Sequence, residues 1–193
     1  MSDYVVSQVV DKVATIRLNR PEKLNAFTDE MITKWVGLLD EYRTSPDVNV
    51  IVITGTGRAF STGGDVGKFD AYASNTAAGI KARLSENVQR LAMRIHEIDK
   101  PVIAAVNGLA TGGGVDIALM CDLRFAAKSA RFSETYVRMG LIPGAGGAYY
   151  LPRIVGVAKA LELFWGCDTL DAEQAERIGL VTVSYTHLTL PTI

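Results

Sequence analysis

Hydrophobic positions along this chain switch between two spacings, and the switches mark where elements end. Residues 4–10 and 13–19 alternate apolar and polar positions around Asp11-Lys12, which predicts a β-hairpin. Thr28-Asp29-Glu30 opens a helical pattern that runs to about Arg43, with Thr28 as its N-cap. Pro46-Asp47 breaks the chain before a continuous apolar strand at 49–54. Leu84, Val88, Leu91 and Ile95 recur at helical spacing and predict one helix over 81–97. A strand at 101–106, a helix over 112–121 and a strand at 123–127 follow, and after Pro143 come short helices near 146–154, 157–165 and 171–178. Residues 67–80 are rich in Ala, Gly and Ser without periodicity, and read as a mobile loop. No short-period repeat and no linker divides the pattern, so it reads as a single α/β domain.

Two strand ends share an unusual composition. The run Val102 to Val106 ends in Asn107-Gly108, then reaches Gly112-Gly113-Gly114 and the apolar helix carrying Asp116. The first N–H groups of a helix have no intrahelical partner, and glycines let a ligand oxygen approach them closely. The positive end of the helix favours developing negative charge. The second segment, Val50 to Gly55, empties into Gly57-Arg58-Ala59-Phe60-Ser61-Thr62-Gly63-Gly64-Asp65. Again a buried strand leads to a glycine pair beside an acid. Two such loops can each aim one N–H at a single oxygen, which is what acyl-transfer and enolate chemistry require.

The segments LNRPEKLNAF (18–27), AFSTGGDV (59–66), KPVIAAVNGLATGGGVDIALMCDLRFAA (100–127) and GLIPGAGGAYYLPRIVG (140–156) resemble the enoyl-CoA hydratase/isomerase, or crotonase, superfamily. The resemblance runs in family order to about Val183. It implies an α/β fold: a ββα spiral whose core is two roughly perpendicular sheets flanked by helices. It implies an acyl-CoA thioester as substrate, no separate cofactor and no metal, and a homotrimer or a hexamer built as a dimer of trimers. By the same resemblance, the N–H groups of Gly64 and Gly113 form the oxyanion hole. Asp116 takes the place of the first catalytic glutamate of the hydratases, and is shorter by one methylene, about 1.3–1.5 Å of reach. Tyr136 stands where hydratases carry their second glutamate. A phenol is a poor base at neutral pH but can donate a hydrogen bond. Glu134, two residues away, would have to reach the site from a different direction. Gly144 stands where many isomerases of the superfamily carry an aspartate. Lys23, Leu24 and Ala26 match the loop that lines the CoA nucleotide site, and Asp65, Val66 and Gly67 match the segment flanking the pantetheine arm. Arg58 and Lys68 add positive charge nearby; a solvated surface role suits them better.

The resemblance makes hydration of a 2-enoyl-CoA the first expectation, with double-bond isomerisation or acyl-CoA hydrolysis as alternatives. A CoA-binding scaffold with a degraded catalytic pair is the alternative of a different class. Composition narrows the field further. The chain has 193 residues, is 48% hydrophobic and 21% charged, and carries a formal net charge of −1, which argues against a nucleic-acid partner. It has no apolar run of about 18 residues and no secretory leader pattern, so a cytoplasmic protein without a membrane span is expected. Cys121 and Cys167 read as buried, reduced thiols, and with His96 and His187 they do not make a zinc site. Trp35 and Trp165 read as core or interface residues. Residues 1–183 are expected to form the acyl-CoA-binding domain. The tail 184–193 lacks helical periodicity and reads as foreign or as the end of a truncated chain, with exposed apolar surface expected near 157–181.

Overall fold

A computed structural model describes residues 3–67 and 76–185 of the chain. The hairpin forms as expected: β1 (Val5–Val10) pairs antiparallel with β2 (Val13–Leu18). Asp11 and Lys12 turn it with φ of 50° and 63°, the positive values of a type I′ turn that matches strand twist. Helix α1 (Asp29–Thr44) starts where Thr28 caps it, its side chain accepting the Met31 N–H at 3.3 Å. Its inward stripe buries Met31, Ile32, Trp35, Val36, Leu39 and Tyr42.

From there the chain climbs by a repeated step. β3 (Val50–Gly55) leads to β4 (Ala59–Ser61), β5 (Val102–Val106) to β6 (Leu109–Thr111), and β7 (Leu123–Ala127) to β8 (Arg131–Ser133). The first strand of each pair joins a six-stranded sheet ordered β1-β2-β3-β5-β7-β10, where β10 is Val183–Tyr185. The second joins a four-stranded sheet ordered β4-β6-β8-β9, where β9 is Leu170–Asp171. Helices fill the returns: α2 (Ala77–Glu86) and α3 (Val88–His96) after β4, α4 (Gly113–Met120) after β6, and α5 (Gly147–Val155), α6 (Val157–Gly166) and α7 (Ala172–Arg177) after β8. This is the ββα spiral with two sheets flanked by helices.

Two expectations are corrected. The single helix expected over 81–97 is two helices, broken at Asn87, whose φ of −125° and ψ of −100° leave the helical region. The patternless stretch 67–80 is not loop throughout. Thr76 accepts the Gly79 N–H at 3.1 Å and α2 begins at Ala77, while residues 68–75, including Lys68, lie outside the described residues. The short strands β4, β6, β8 and β9 leave no periodic trace in the sequence, because two or three residues carry no period. At the C-terminal end, Ser184 and Tyr185 continue β10 beside β7, and residues 186–193, with His187, lie outside the described residues. Trp35 is fully buried; Trp165 is 70% exposed and outside the core.

A polar clamp fixes the loops that leave β2 and β3. Leu24 and Asn25 adopt left-handed φ of 51° and 57°, which turns the buried Asn25 side chain inward. Its Oδ1 accepts the Arg20 N–H at 2.9 Å, and its Nδ2 donates to Thr56 O at 3.0 Å and Ala59 O at 2.8 Å. Arg20 Nη1 donates to Ala26 O at 3.1 Å and to Asp65 Oδ2 at 2.7 Å. From the other side, Asn107 Oδ1 accepts the Gly55 N–H at 3.0 Å and its Nδ2 donates to Gly57 O at 2.9 Å. Below the clamp, α4 lies backbone-on-backbone against β4: a Cβ on Gly114 would sit 2.0 Å from Ser61 O.

Gly114→Ala should therefore prevent folding or cost well over about 3 kcal/mol. Gly37→Ala meets nothing within 4 Å on the exposed face of α1 and should raise stability by about 0.5–1 kcal/mol. Arg20→Met leaves Asp65 with its charge half-buried and should lower unfolding free energy by about 2–3 kcal/mol. Urea midpoints of the three variants check all three.

Candidate active site

Gly64 pairs with Phe27 in an isolated parallel bridge. The Phe27 N–H donates to Gly63 O at 2.8 Å and the Asp65 N–H donates to Phe27 O at 3.0 Å. A parallel bridge that uses residues 63 and 65 turns the N–H of Gly64 to the opposite side. Gly113 is the first residue of α4. Gly112 before it has φ 48° and ψ −120°. Its N–H donates to Ser133 O at 2.9 Å, and its carbonyl accepts the N–H groups of Val115 at 2.8 Å and Asp116 at 3.1 Å. The N–H of Gly113 is thus left at the open start of the helix.

These two loops touch. A Cβ built on Gly63 would lie 3.0 Å from Gly113 N, and one built on Gly113 would lie 3.3 Å from Gly63 Cα and 3.0 Å from Phe27 Cζ. Only side-chain-free residues allow that approach. Gly64 is the next residue in the chain after this contact.

One helical turn onward, Asp116 is 0% exposed. Its Oδ2 accepts the Tyr136 hydroxyl at 2.6 Å, so the two residues paired by the sequence do meet. Tyr136 lies in the 3₁₀ turn Tyr136–Met139 that follows β8. Burial pushes the Asp116 carboxyl up to about 6, opposed by the Tyr136 hydroxyl, by the backbone amides of Gly147 and Ala145, and by the Glu134 carboxyl. Burial, then the charge of Asp116, raises the Tyr136 phenol well above its ordinary value. Gly147, at the start of α5, lies so close that a Cβ there would fall 2.0 Å from Asp116 Oδ1.

Glu134 belongs to the same buried group. It is 3% exposed, neither of its buried oxygens has a hydrogen-bond partner among the described residues, and it lies close enough to Asp116 to feel its charge. Burial first, then the Asp116 charge, pushes its carboxyl up to about 10. The sequence does hold a signal for it: an acid directly after the buried pair Phe132-Ser133, at the end of a strand. Arg20, Asn25 and Asn107 have no such signal, since their roles are fixed only by carbonyls brought in from other loops.

The remaining candidates lie along one margin. Lys23 closes the 3₁₀ turn Pro21–Lys23 and is exposed. Leu24 O accepts the Thr62 N–H at 3.1 Å, and Ala26 is buried with its carbonyl on Arg20. The Phe27–Gly64 bridge thus joins the Lys23–Ala26 turn to the Asp65–Gly67 segment. Asp65 is bound to Arg20 and also accepts the Gly67 N–H at 3.1 Å, and Arg20 holds its carboxyl below the usual range. Val66 and Gly67 are exposed. Cys121 and Cys167 are both buried, and burial pushes the Cys121 thiol up to about 12. Among the described residues no group of His, Cys, Asp and Glu side chains could hold a metal ion, and no helix is long and apolar enough to cross a membrane.

Comparison with known proteins bears on this arrangement. The enoyl-CoA hydratase/isomerase family model matches residues 8–188. The chain is 36% identical over 181 residues to 1,2-epoxyphenylacetyl-CoA isomerase of Escherichia coli K12, covering 94% of this chain and 69% of that protein. It is 35% identical over 180 residues to crotonyl-CoA hydratase of Syntrophomonas wolfei, covering 93% and 68%. The crystal structure of an enoyl-CoA hydratase/isomerase from Cupriavidus metallidurans CH34 superposes with a TM-score of 0.87 at 34% identity, over 95% of this chain and 68% of that one. With its spiral of paired strands and its glycine loops in contact, the chain belongs to the enoyl-CoA hydratase/isomerase family.

Proposed function

We propose that the protein stabilises a thioester enolate between the N–H groups of Gly64 and Gly113, with Asp116 as the group that moves the proton. The contact between the two glycine loops supports this reading: Gly63 lies against Gly113, and among the described residues no hydrogen bond is made by the N–H of Gly64 or Gly113, one helical turn from a buried carboxylate. Preorganised donors of this kind contribute about 3–4 kcal/mol each to an oxyanion transition state. Lys23, Leu24 and Ala26 then face the CoA nucleotide, and Asp65, Val66 and Gly67 flank the pantetheine arm. The Phe27–Gly64 bridge makes these two stretches neighbours, which supports their sharing one extended ligand.

Hydration of a 2-enoyl-CoA is the reaction assigned first. Asp116 takes a proton from water as its oxygen bonds to Cβ, and the electrons of the double bond move to the thioester oxygen. The enolate so formed rests on the two amides. The Asp116 proton then passes to Cα, giving the 3-hydroxyacyl-CoA. Tyr136 donates to Asp116 throughout and steadies its charge. Double-bond isomerisation is a second reading, favoured by one observation: Asp116 is flanked by the phenol of Tyr136 and by a carboxyl whose raised value keeps it protonated. One base suffices to carry a proton between two carbons. The assembly we assign is a homotrimer or a dimer of trimers. Val157, Leu161 and Trp165 stay exposed on one face of α6 and offer apolar surface for such an interface.

Asp116→Asn should lower kcat/KM by at least about 100-fold while leaving CoA binding in place. Loss of the crotonyl-CoA absorbance band reads hydration, and gain of that band from a 3-enoyl-CoA reads isomerisation. Turnover by the variant equal to wild type would remove Asp116 from the chemistry. Because the base must be ionised to accept a proton, wild-type kcat/KM should fall as pH drops through about 6. A rate profile from pH 5 to pH 8 checks the limb (about one decade per unit below it).

A further inference from the structure

We propose that Glu134 is a positioning residue for Asp116: its carboxyl keeps its own proton, lends it to Asp116 as a hydrogen bond, and so holds Asp116 as an oriented, charged base. The inference rests on the catalytic reading of Asp116 above and adds a residue whose role that reading leaves open.

Three observations carry it. First, both Glu134 oxygens and Asp116 Oδ1 are buried and have no hydrogen-bond partner among the described residues, and the two carboxyls lie close enough to act on each other's charge. Two carboxyls that share a buried site do not both ionise readily, so one of the pair keeps a proton. Second, the donors are unequally shared. Asp116 accepts the Tyr136 hydroxyl at 2.6 Å and faces the amides of Gly147 and Ala145. Glu134 faces Asp116, Tyr136 and Cys167, and shares a small cavity with Asp168, Phe132 and Leu163. Among the described residues that line this cavity there is no Lys or Arg. Ser133 Oγ and Arg138 Nη2, the neighbouring donors, both go to Cys167 O, at 3.0 and 2.7 Å. The negative charge therefore settles on Asp116 and the proton on Glu134. Third, the environment agrees: burial and the adjacent charge push the Glu134 carboxyl up to about 10, far above Asp116 at about 6.

The test compares wild type with Glu134→Gln and Glu134→Leu. Gln keeps a neutral donor toward Asp116; Leu removes it. The acid limb of kcat/KM should move up by about 1–2 pH units in Glu134→Leu and stay within about half a unit in Glu134→Gln. A limb that moves down in Glu134→Leu would mean that a like charge had been removed, and would overturn the proposal, as would a limb that does not move. A role in packing alone would alter melting temperature without shifting the limb. The second readout needs no turnover and survives poor folding of the Leu variant. Infrared spectra of the unliganded protein at about pH 8 should show a protonated-carboxyl stretch that vanishes in Glu134→Gln. Absence of that band in wild type would overturn the shared proton. Wild type that shows the band but turns over no enoyl-CoA would support the shared proton and overturn the catalytic reading of Asp116, so the two failures are separable.

Discussion

The site depends on a contact made without side chains. Ser61 and Gly63 pack backbone to backbone against Gly114 and Gly113, closely enough that a methyl group on Gly114 would overlap the Ser61 carbonyl. That closeness is possible because β4 and β6 pair in parallel, in neighbouring turns of one spiral. The polar contacts around the loops serve the same closeness. Asn25 and Asn107 hold the 55–59 turn from two sides. Arg20 ties the segment after β2 to Asp65, on the far side of the Phe27–Gly64 bridge. The polar clamp thus substitutes for the hydrophobic packing that glycines cannot supply.

Electrostatics oppose the fold where chemistry needs them. Asp116 and Glu134 are both nearly water-free, and each carboxyl titrates above its unfolded value, at about 6 and about 10 against 3.8 and 4.5. A raised carboxyl is ionised first in the unfolded chain. The stability these groups contribute is therefore fully present below about pH 4 and is lost as pH rises through the folded values. At neutral pH the protein carries this cost in full for Asp116 and in part for Glu134. That pattern, a buried acid kept near its working pH by burial and adjusted by neighbouring donors, is how an enzyme obtains a base from a carboxyl group.

Much of this is legible in the residues. The hairpin turn at Asp11-Lys12, the Thr28 cap and the apolar stripe of α1 follow from local pattern, and the structure shows each. The glycine loops stand out because glycines placed directly after buried strands leave backbone amides bare, a composition that packing alone does not call for. Local pattern fails where the deciding partner is distant in sequence. Strands of two or three residues have no period to read, and the break at Asn87 interrupts apolar spacing that stays in phase across it. Asn25 reads as an ordinary turn residue until the carbonyls of Thr56 and Ala59 are placed against it. Glu134 reads as a strand-end acid until α4 sets Asp116 beside it.

The exchange of residue types at the site is coherent as a set. A tyrosine at position 136 removes one carboxylate from the face shared with Asp116 and puts a donor there, at 2.6 Å from Oδ2. A carboxyl stands two residues back at Glu134, where burial pushes it up to about 10. Asp116 then has the Tyr136 hydroxyl on Oδ2 and a buried carboxyl as its neighbour. A glutamate at 116 would extend farther by about one methylene, 1.3–1.5 Å, into the space that Gly147 leaves only because it has no Cβ. The shorter acid, the bare glycine facing it, the phenol and the buried glutamate are mutually dependent. Together they concentrate the charge of this buried group on a single oxygen pair one turn from the start of α4.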